Sequence, residues 1–528
     1  MQIKQILYII YSVPMVIFAL DYTGFPQENC NQEEVHAWIY FKDKGFQSQA
    51  EIVETINRFI HNLDPKTKYR RAKVRGEVLA DFRDLEVYSS YIEVVLQIGV
   101  VLRTTSRWLN AVSISGPCEV LRTISKFEFV SAIRPVLAGK RRGDSSYSVP
   151  QPGYENPEQP NSRLEYGPSY FQLDEINVLP AHEAGFNGQG VYVLMLDTGY
   201  IKDHEAIPNS QIVAEWDFIN NDGNTQNEEG DPENQHNHGT YTLSTLGGRL
   251  EGVLYGPAFE AEFLLAKTED TSQEEPIEED WYVSGLEWGE EMGADIVSSS
   301  LGYIDWYEFE DLDGQTAVTT IAVNIAIENG MIIVTAAGNS GEDGIVAPAD
   351  AFDVISCGAV DSTGTLAWFS SMGPSADGRI KPEVCARGLN TWCAIPPNDS
   401  TAYGYVSGTS LSTPLVAGAC AVILSAHPDW TPRHVRQSLL LTASQFENPN
   451  NEFGWGIINV WDAINLALTS GDVNMDDLID ILDVILVIQF ILGNDFPTEV
   501  QNNAADINND GTINILDVVA IVNLILYE

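Results

Sequence analysis

Apolar residues follow two different patterns near the start of the chain, and each predicts a different element. The runs VHAWIYF (35–41) and YIEVVLQIGVVL (91–102) are short and almost continuously apolar, which is typical of strands. The segment AEIVETINRFIHNL (50–63) instead has apolar residues at the spacing of a helix face. We therefore expect residues 31–139 to form a small α+β unit.

Between residues 166 and 468, apolar strand-like runs alternate with segments of helical spacing, such as 316–329 and 413–426. Continuously apolar strands separated by helices are typical of a parallel sheet that is buried on both faces. We therefore predict an α/β domain with a mostly parallel sheet and helices on both faces, whose chemistry gathers beyond the carboxyl ends of the strands. The runs are GVYVLMLD (190–197), AEFLLAK (261–267), ADIVSSSLG (294–302), MIIVTAAGN (331–339) and DVISCGAV (353–360).

Two segments look like processing signals rather than folded structure. In residues 1–20, one Lys precedes the apolar stretch Leu7–Leu20, which is short for a membrane span and typical of a secretory signal peptide. Residues 143–165 are rich in Pro, Ser, Gly and Asn and follow three basic residues, as expected for a linker that contains a processing region. We therefore predict a secreted protein with no membrane span in its mature form.

Charge is distributed unevenly. Residues 1–142 hold 19 Lys and Arg against 15 Asp and Glu, a net charge of +4, whereas residues 143–528 hold 9 against 60, a net charge of −51. This shift marks a boundary between domains. The acidic part argues against binding to nucleic acid, which needs positive charge.

The six cysteines are too few to serve as the scaffold of a chain this long. Cys385 and Cys393 are close enough in sequence to pair. Cys357 and Cys420 lie in apolar runs and are expected to be buried thiols. The sequence leaves the pairing open.

Four residues at loop edges supply the groups that a nucleophilic hydrolase needs. Asp197 ends an apolar run, His238 stands in QHNHGT, Asn339 ends another run, and Ser410 stands in SGTSLSTP. Attack by a hydroxyl on a carbonyl requires a base, a carboxylate that orients the base, and donors for the oxyanion. Each residue alone could be an ordinary turn former or helix cap. Their occurrence together in one α/β domain favours catalysis.

The segments VLMLDTG, HNHGT and SGTSLSTP resemble the three signatures of subtilisin-like serine proteases, the subtilases, over about residues 166–468. The resemblance implies that Asp197 orients His238, that His238 is the general base and acid, and that Ser410 is the nucleophile. Asn339 would donate to the oxyanion. It further implies that substrate is bound by residues of SSSLG and of the run that ends at Asn339, namely Ser300, Leu301, Gly302 and Gly338. The chain departs from the family at YTLSTLGG and at Leu411, which affects substrate preference rather than the reaction.

Subtilases are usually made with a prodomain that assists folding and blocks the active site. Residues 21–142 stand in the right place, and VHAWIYFKDKG resembles the opening of some bacterial subtilase prodomains. A segment of net charge +4 would also be attracted to a remainder of charge −51. We therefore expect this segment to inhibit the enzyme, with a separate binding domain as the alternative.

The tail, residues 471–528, contains a repeat at an offset of 34 residues, in which DVNMDDLIDILDV aligns with DINNDGTINILDV. Oxygen ligands recur at the spacing of a calcium loop, with position 7 supplying a backbone carbonyl. Apolar helices follow both copies, and the pair resembles a type I dockerin, a small all-α calcium-binding module. That resemblance implies structural Ca²⁺ and a cohesin-like scaffold partner. The expected ligands are Asp472, Asn474, Asp476, Leu478, Asp480 and Asp483, then Asp506, Asn508, Asp510, Thr512, Asn514 and Asp517.

The leading hypothesis is therefore a secreted serine endopeptidase that is made as a zymogen, requires no cofactor for catalysis and is attached to a scaffold or cell surface through its tail. The alternative is a catalytically silent docking protein, which the four intact residues disfavour. An esterase of the α/β-hydrolase type would need a G-x-S-x-G elbow and the chain order Ser, Asp, His. The sequence has neither feature.

Overall fold

A computed structural model describes most of the chain. The described residues are 34–136, 163–272, 277–304, 306–396, 400–466, 470–474, 479–497, 499–508 and 510–527. The predicted signal peptide, residues 143–162 of the predicted linker, and the expected calcium ligands Asp476 and Leu478 lie outside them. We call residues 34–136 the N-terminal unit, 163–466 the central domain and 470–527 the C-terminal module.

Strands and helices are numbered in chain order. The strands are β1 (Val35–Phe41), β2 (Val101–Ser106), β3 (Ala111–Gly116), β4 (Val130–Val136), β5 (Tyr192–Asp197), β6 (Ile212–Asp217), β7 (Arg249–Leu250), β8 (Leu254–Tyr255), β9 (Glu262–Lys267), β10 (Ile296–Ser299), β11 (Ile332–Ala336), β12 (Ile355–Val360), β13 (Val384–Arg387), β14 (Thr391–Ala394) and β15 (Tyr403–Val406). The helices are α1 (Gln49–Asn62), α2 (Pro65–Arg75), α3 (Ser89–Leu96), α4 (Cys118–Ile124), α5 (Tyr170–Glu175), α6 (Leu179–Ala184), α7 (Asn237–Gly247), α8 (Ile277–Glu291), α9 (Val318–Glu328), α10 (Thr409–Ala426), α11 (Pro432–Thr442), α12 (Val460–Asn465), α13 (Ile481–Ile491), α14 (Glu499–Ala505) and α15 (Ile515–Tyr527).

The N-terminal unit is an antiparallel sheet of order β2-β3-β1-β4 with helices packed against it. The predicted strand at 91–102 was wrong, because its first part belongs to α3 and only its end belongs to β2. Tyr91, Ile92 and Val95 recur at helical spacing and pack together into the core of the unit. The continuous apolar run concealed this period, and Gly99, with a φ of 94°, separates the helix from the strand.

The central domain is built on a sheet of order β13-β12-β11-β10-β5-β9-β6, in which every described pairing is parallel. Side chains of β5 alternate between two hydrophobic clusters, with Val193 and Met195 in one and Leu194 and Leu196 in the other. Helices cover both faces. The predicted α/β architecture is therefore confirmed, and its strand order places β5 and β10 side by side at the centre.

Helix α10 is buried in the middle of the central domain and begins at Thr409, four residues before the predicted start at 413. A methyl group at Gly418 would come within 2.4 Å of Pro257 Cγ, so glycine permits the close approach of the neighbouring loop. Within the described ranges, α10 is the one helix long and apolar enough to cross a bilayer, and 89% of that segment is buried inside the protein. Such burial is that of a core helix.

Helix α8 of the central domain carries much of the contact with the N-terminal unit. Ser113 Oγ donates to Asp280 at 2.6 Å, and Arg103 forms an ion pair with the same carboxylate at 3.0 Å. Further along the helix, Glu287 accepts hydrogen bonds from Ser106 and from the backbone of Trp108. The basic strand β2 and its turn therefore lie along an acidic helix.

The C-terminal module is all-helical, as predicted, and its two repeats pack through equivalent residues. Val484 and Val487 of α13 contact the core that Val518 and Ile521 of α15 complete, at the repeat offset of 34 residues. The repeat is therefore structural as well as sequential.

The described cysteines of the central domain are all free thiols, so the pairing of Cys385 with Cys393 that the sequence allowed is not formed. Cys357 and Cys420 are buried, as expected. Burial raises the pKa of Cys385 to about 12, so this thiol stays protonated and packs as an apolar side chain.

Candidate active site

The carboxyl edge of the sheet brings the predicted catalytic residues together. Asp197 is the last residue of β5, Ser300 directly follows β10, and Asn339 lies three residues beyond β11. Helices α7 and α10, which carry His238 and Ser410 in their first turns, pack against each other above this edge. Parallel strands end at the same edge, so Asp197 and Ser410, which are 213 positions apart in sequence, both lie at this edge, Ser410 through its contact with Ser300.

Asp197 is fully buried and holds the imidazole of His238. His238 Nδ1 lies 2.7 Å from Asp197 Oδ1, which also accepts the backbone N–H of Thr198 at 2.7 Å. Asp197 Oδ2 accepts the hydroxyl of Thr242 at 2.9 Å. An ionised carboxylate only accepts hydrogen bonds, so Nδ1 carries the proton and Nε2 has the lone pair that can take up another.

Ser410 stands in the first turn of α10 and is 6% exposed. Its Oγ donates to the carbonyl of Ser300 at 3.3 Å, and Ser300 Oγ donates in return to the Ser410 carbonyl at 2.9 Å. Gly408 directly before the helix has a φ of 154°, which side chains rarely tolerate. This backbone conformation places Ser410 at the N-terminus of α10, where the free backbone N–H groups of a helix can stabilise an anion.

Asn339 is held by Thr409. The backbone N–H and the hydroxyl of Thr409 both donate to Asn339 Oδ1, at 2.9 and 3.0 Å. Because Oδ1 accepts both bonds, the donor Nδ2 is oriented toward Gly408. The position that a Cβ at Gly408 would occupy lies 3.7 Å from Asn339 Nδ2, 3.7 Å from Ser410 N and 3.8 Å from Ser410 Cβ. Two N–H donors and the serine therefore surround one small space.

The residues expected to bind substrate line the same edge. Leu301 is buried, Gly302 is exposed, and Gly338 has a φ of 117°. A Cβ at Gly302 would lie 2.2 Å from Val346 Cγ2, and one at Gly338 would lie 3.0 Å from Val346 Cγ1. The side chain of Val346 therefore fills the space between the two glycine segments.

Two residues of this site were not identified from the sequence. Thr242 lies four residues after His238 on α7, so its position on the same helix face was a usable signal for its contact with Asp197. Val346 lies in a loop between β11 and β12, and an apolar residue in a loop carries no signal of its neighbours.

An acidic cluster lies at the end of β6 and in the loop that follows it. Carboxylate oxygens of Asp217, Asp222 and Glu228 lie within 4.8 Å of one another. Lys267 Nζ is fully buried and pairs with both Asp217 and Asp231 at 2.7 Å. The lysine therefore already balances part of the negative charge around Asp217.

The second loop of the C-terminal module brings its expected ligands around one space. Asp506 accepts the N–H groups of Asp510 and Gly511, at 3.1 and 2.8 Å, and Gly511 has the left-handed φ of 80° expected at position 6. Asp510 accepts the N–H of Thr512 at 3.0 Å. Burial raises the pKa of Asp506, and the charge of buried Asp517 raises it further. Two buried carboxylates with amide and carbonyl oxygens suit a hard cation such as Ca²⁺.

The last carboxylate of each loop ties the loop to the following helix. Asp483 accepts the N–H groups of Val473, Asn474 and Asp480, at 2.7, 2.9 and 2.8 Å. Asp517 does the same for Asn508 and Asn514, at 3.3 and 2.9 Å. Asp480 and Asn514, which are expected ligands, also cap the helices that follow. Asp472, another expected ligand, is largely buried. Asp506 also forms an ion pair with the central domain, in which Arg433 Nη1 lies 3.5 Å from its Oδ2.

Three family models match consecutive parts of the chain. Residues 36–147 match the peptidase S8 propeptide domain of Bacteroidota, residues 188–456 match the subtilase family, and residues 470–526 match the type I dockerin domain. The subtilase match covers about half of the chain. Type I dockerin domains bind calcium.

Curated relatives include bacterial subtilisins. Subtilisin NAT of Bacillus subtilis subsp. natto is 30% identical over 295 residues, which are 55% of this chain and 70% of that protein. Subtilisin DY of Bacillus licheniformis is 32% identical over 301 residues, 56% of this chain and 96% of that protein. Fervidolysin of Fervidobacterium pennivorans, a keratinolytic enzyme related to subtilisin, has a similar fold, with a TM-score of 0.57 and 18% sequence identity. The superposition covers 84% of this chain and 62% of that one. The chain therefore belongs to the subtilase family of serine endopeptidases.

Proposed function

We propose that the protein is a secreted endopeptidase that hydrolyses peptide bonds through an acyl-enzyme on Ser410, is inhibited by its own N-terminal unit, and is attached to a partner through its C-terminal module. The observation that carries the catalytic part is the 2.7 Å contact between His238 Nδ1 and buried Asp197, at the sheet edge that also carries Ser410 and Asn339.

Acylation begins when Ser410 Oγ turns from the Ser300 carbonyl toward His238 and attacks the substrate carbonyl carbon. His238 Nε2 accepts the hydroxyl proton as the new C–O bond forms. The carbonyl π electrons move to oxygen, and this oxyanion accepts hydrogen bonds from Asn339 Nδ2 and Ser410 N. Asp197 stabilises the imidazolium that results.

Collapse of the tetrahedral intermediate breaks the C–N bond. His238 returns its proton to the leaving amine, which departs as the new N-terminus of the product. Water then attacks the ester carbonyl while His238 takes its proton, and the C–O bond to Ser410 breaks as the serine regains a proton. The exposed backbone at Gly302 provides an edge beside which an extended substrate can lie.

Asn339→Gly tests the oxyanion role. We expect kcat for an internally quenched peptide to fall by about 10²–10³-fold with little change in KM, because the lost bond forms chiefly in the transition state. New N-termini in a denatured protein substrate, identified by mass spectrometry, would report the same cleavage. Ser340→Ala is the matched control. Ser340 is the next residue in the chain, and it contacts Ser371 through its backbone N–H, which the substitution keeps. A loss confined to KM would contradict the assignment.

The N-terminal unit is proposed as the inhibitor of the central domain. Support comes from its match to a subtilase propeptide and from the basic-to-acidic contacts along α8. The unit ends in β4, whose Arg134 donates to the carbonyl of Thr316 in the central domain. Cleavage within the segment that joins the two would leave these contacts in place.

Structural calcium is proposed for both loops of the C-terminal module. The oxygen donor set and the paired buried carboxylates suit this ion, and bound Ca²⁺ would screen their mutual repulsion. Asp483 and Asp517 then hold each loop closed on its helix through the N–H groups that they accept.

Asp517→Asn is expected to lower the calcium affinity of the second loop by at least about tenfold, because a charged ligand becomes neutral. Isothermal titration of Ca²⁺ into the full chain would measure this, with Ser410→Ala present in every sample to prevent self-cleavage. Asp495→Asn, at an exposed aspartate whose carboxylate accepts the N–H of Phe496, is the control. Unchanged binding in Asp517→Asn would rule out this ligand.

We propose that a partner protein binds the exposed apolar surface of the C-terminal module. Ile481, Leu482 and Ile485 of α13 are exposed, and so are Ile515, Leu516 and Val519 at the equivalent positions of α15. Apolar residues exposed in two matching rows are typical of a protein-binding face. Together with the dockerin match, they support a cohesin-like domain on a scaffold or cell surface as the partner.

A further inference from the structure

Two short segments, 300–303 and 337–339, flank the place where Ser410 attacks the substrate carbonyl. Ser410 Oγ donates to the carbonyl of Ser300, which begins the first segment. Asn339, the proposed donor to the oxyanion, ends the second segment. The attacked carbonyl therefore lies between them, and the side chain on its own Cα enters the space that they enclose. We call them the glycine segments, because each contains one glycine.

Val346, in the loop before β12, fills part of this space and reaches both of its walls. A Cβ at Gly302 would lie 2.2 Å from Val346 Cγ2, and a Cβ at Gly338 would lie 3.0 Å from Val346 Cγ1. Each methyl group of the valine therefore contacts one glycine segment. Val346 is 7% exposed, so the rest of its side chain is enclosed by the protein.

Backbone hydrogen bonds hold Val346 in this position. Its N–H donates to the carbonyl of Ala337 in one glycine segment, at 3.1 Å. The next residue, Ala347, exchanges two backbone hydrogen bonds with Tyr303 in the other segment, at 2.8 and 3.0 Å. Two consecutive residues therefore tie the glycine segments together. The space between the segments cannot widen unless these bonds break.

A short substrate side chain fits beside Val346, whereas a long one must occupy the place of its methyl groups. The side chains of glycine, alanine and serine extend at most one heavy atom beyond Cβ, but leucine and phenylalanine extend to branched or ring atoms. Protein interiors are close-packed, and forcing extra atoms into them strains side chains and backbone. Because the backbone bonds resist such strain, long side chains should bind poorly.

We propose that Val346 is a specificity-determining residue that restricts the protein to substrates with glycine, alanine or serine before the cleaved bond. The inference rests on the proposed peptidase function and deepens it, because it names the class of substrate. Val346 supplies no group to the reaction. It selects the substrate by limiting the length of the side chain that can enter between the glycine segments.

The first test maps the cuts that the secreted protein makes in denatured serum albumin, by mass spectrometry of the products. Most cuts should follow glycine, alanine or serine. Two internally quenched peptides then copy the sequence around the strongest cut and differ only in the residue before it, alanine or phenylalanine. We expect kcat/KM to be about 10²-fold or more higher for the alanine peptide, as for a misfit of methylene groups in an apolar pocket.

Substitutions of Val346 should change this ratio. Val346→Gly removes the obstruction and is expected to shift the ratio by about 10²-fold toward the phenylalanine peptide. Val346→Ala should give a smaller shift in the same direction, and it keeps the test available if the glycine variant does not fold. The ratio of two kcat/KM values is independent of the concentration of folded enzyme, so a loss of stability alone would not move it.

Ile345→Val is the matched control. Ile345 is the preceding buried residue of the same loop, and it packs in a separate hydrophobic cluster with Leu312 and Ala349. Its substitution should leave the ratio unchanged. A preference of the unsubstituted protein for phenylalanine, or a ratio that neither Val346→Gly nor Val346→Ala changes, would overturn the specificity role and leave the proposed peptidase intact. If serum albumin were not cut at all, the proposed function itself would be contradicted.

Discussion

Replacing Ser410 with alanine is expected to reduce kcat for peptide hydrolysis by about 10⁶-fold, the loss that removal of a subtilase nucleophile produces. The hydroxyl oxygen forms the covalent bond to the substrate, and no neighbouring group can replace it. Residual hydrolysis would come from the oxyanion donors and from substrate binding alone. Steady-state kinetics with a quenched peptide, supported by long single-turnover incubations, would measure the change.

Ser412→Ala is the matched control for this experiment. Ser412 lies two residues away on α10 and its hydroxyl donates to the Thr409 carbonyl, so its loss removes a helix contact and no reacting atom. We expect Ser412→Ala to keep near-normal kcat. A Ser410→Ala protein that retained a tenth of the activity would contradict the account, and so would equal losses in the two variants. The inactive protein should also keep its N-terminal unit covalently attached if maturation is self-inflicted.

Asp197→Asn is expected to lower kcat by about 10⁴-fold with little effect on the fold. The asparagine keeps the size of the side chain, but its amide group favours the wrong tautomer of His238, with the proton on Nε2. The base then has no lone pair directed at Ser410. KM for a peptide substrate would show whether the variant still binds substrate normally. A peptide aldehyde is less suitable for this purpose, because it forms a hemiacetal with Ser410 that depends on the same base.

The control for Asp197→Asn is Asp203→Asn, at an exposed aspartate in the segment that follows β5. It changes the net charge equally and touches none of the residues around His238. A loss of less than tenfold in Asp197→Asn, or an equal loss in Asp203→Asn, would contradict the orienting role. Thr242→Val should fall between the two, because it removes one of the three donors to Asp197.

The placement of Asp197 and Asn339 at one edge of the sheet could be predicted from the sequence, because each residue ends a local pattern. Asp197 and Asn339 end apolar runs, and parallel strands must end at one edge. The proposed calcium ligands recur at a fixed spacing within two short loops, so Asp483 and Asp517 could be paired with their loops without a structure. Both signals depend only on residues that are near in sequence or on a general property of the sheet.

Features that depend on distant contacts were not predictable. Arg70 of α2 forms an ion pair with Glu290 of α8 although they are 220 residues apart, and nothing in either segment indicates the other. Val346 contacts the pocket glycines only because the loop before β12 folds back on them. The helix at 89–96 was mistaken for a strand, because an almost continuously apolar run hides the period that distinguishes the two. Tertiary packing decided each of these cases.

The central claim is that Ser410 is an activated nucleophile, and labelling with a fluorophosphonate probe tests it most directly. The probe reacts with a serine only where a base withdraws the hydroxyl proton and donors stabilise the resulting oxyanion. The account predicts one adduct, mapped by mass spectrometry to the peptide that contains Ser410, and no adduct in Ser410→Ala or His238→Ala. An unlabelled active preparation, or an adduct on a different serine, would contradict it.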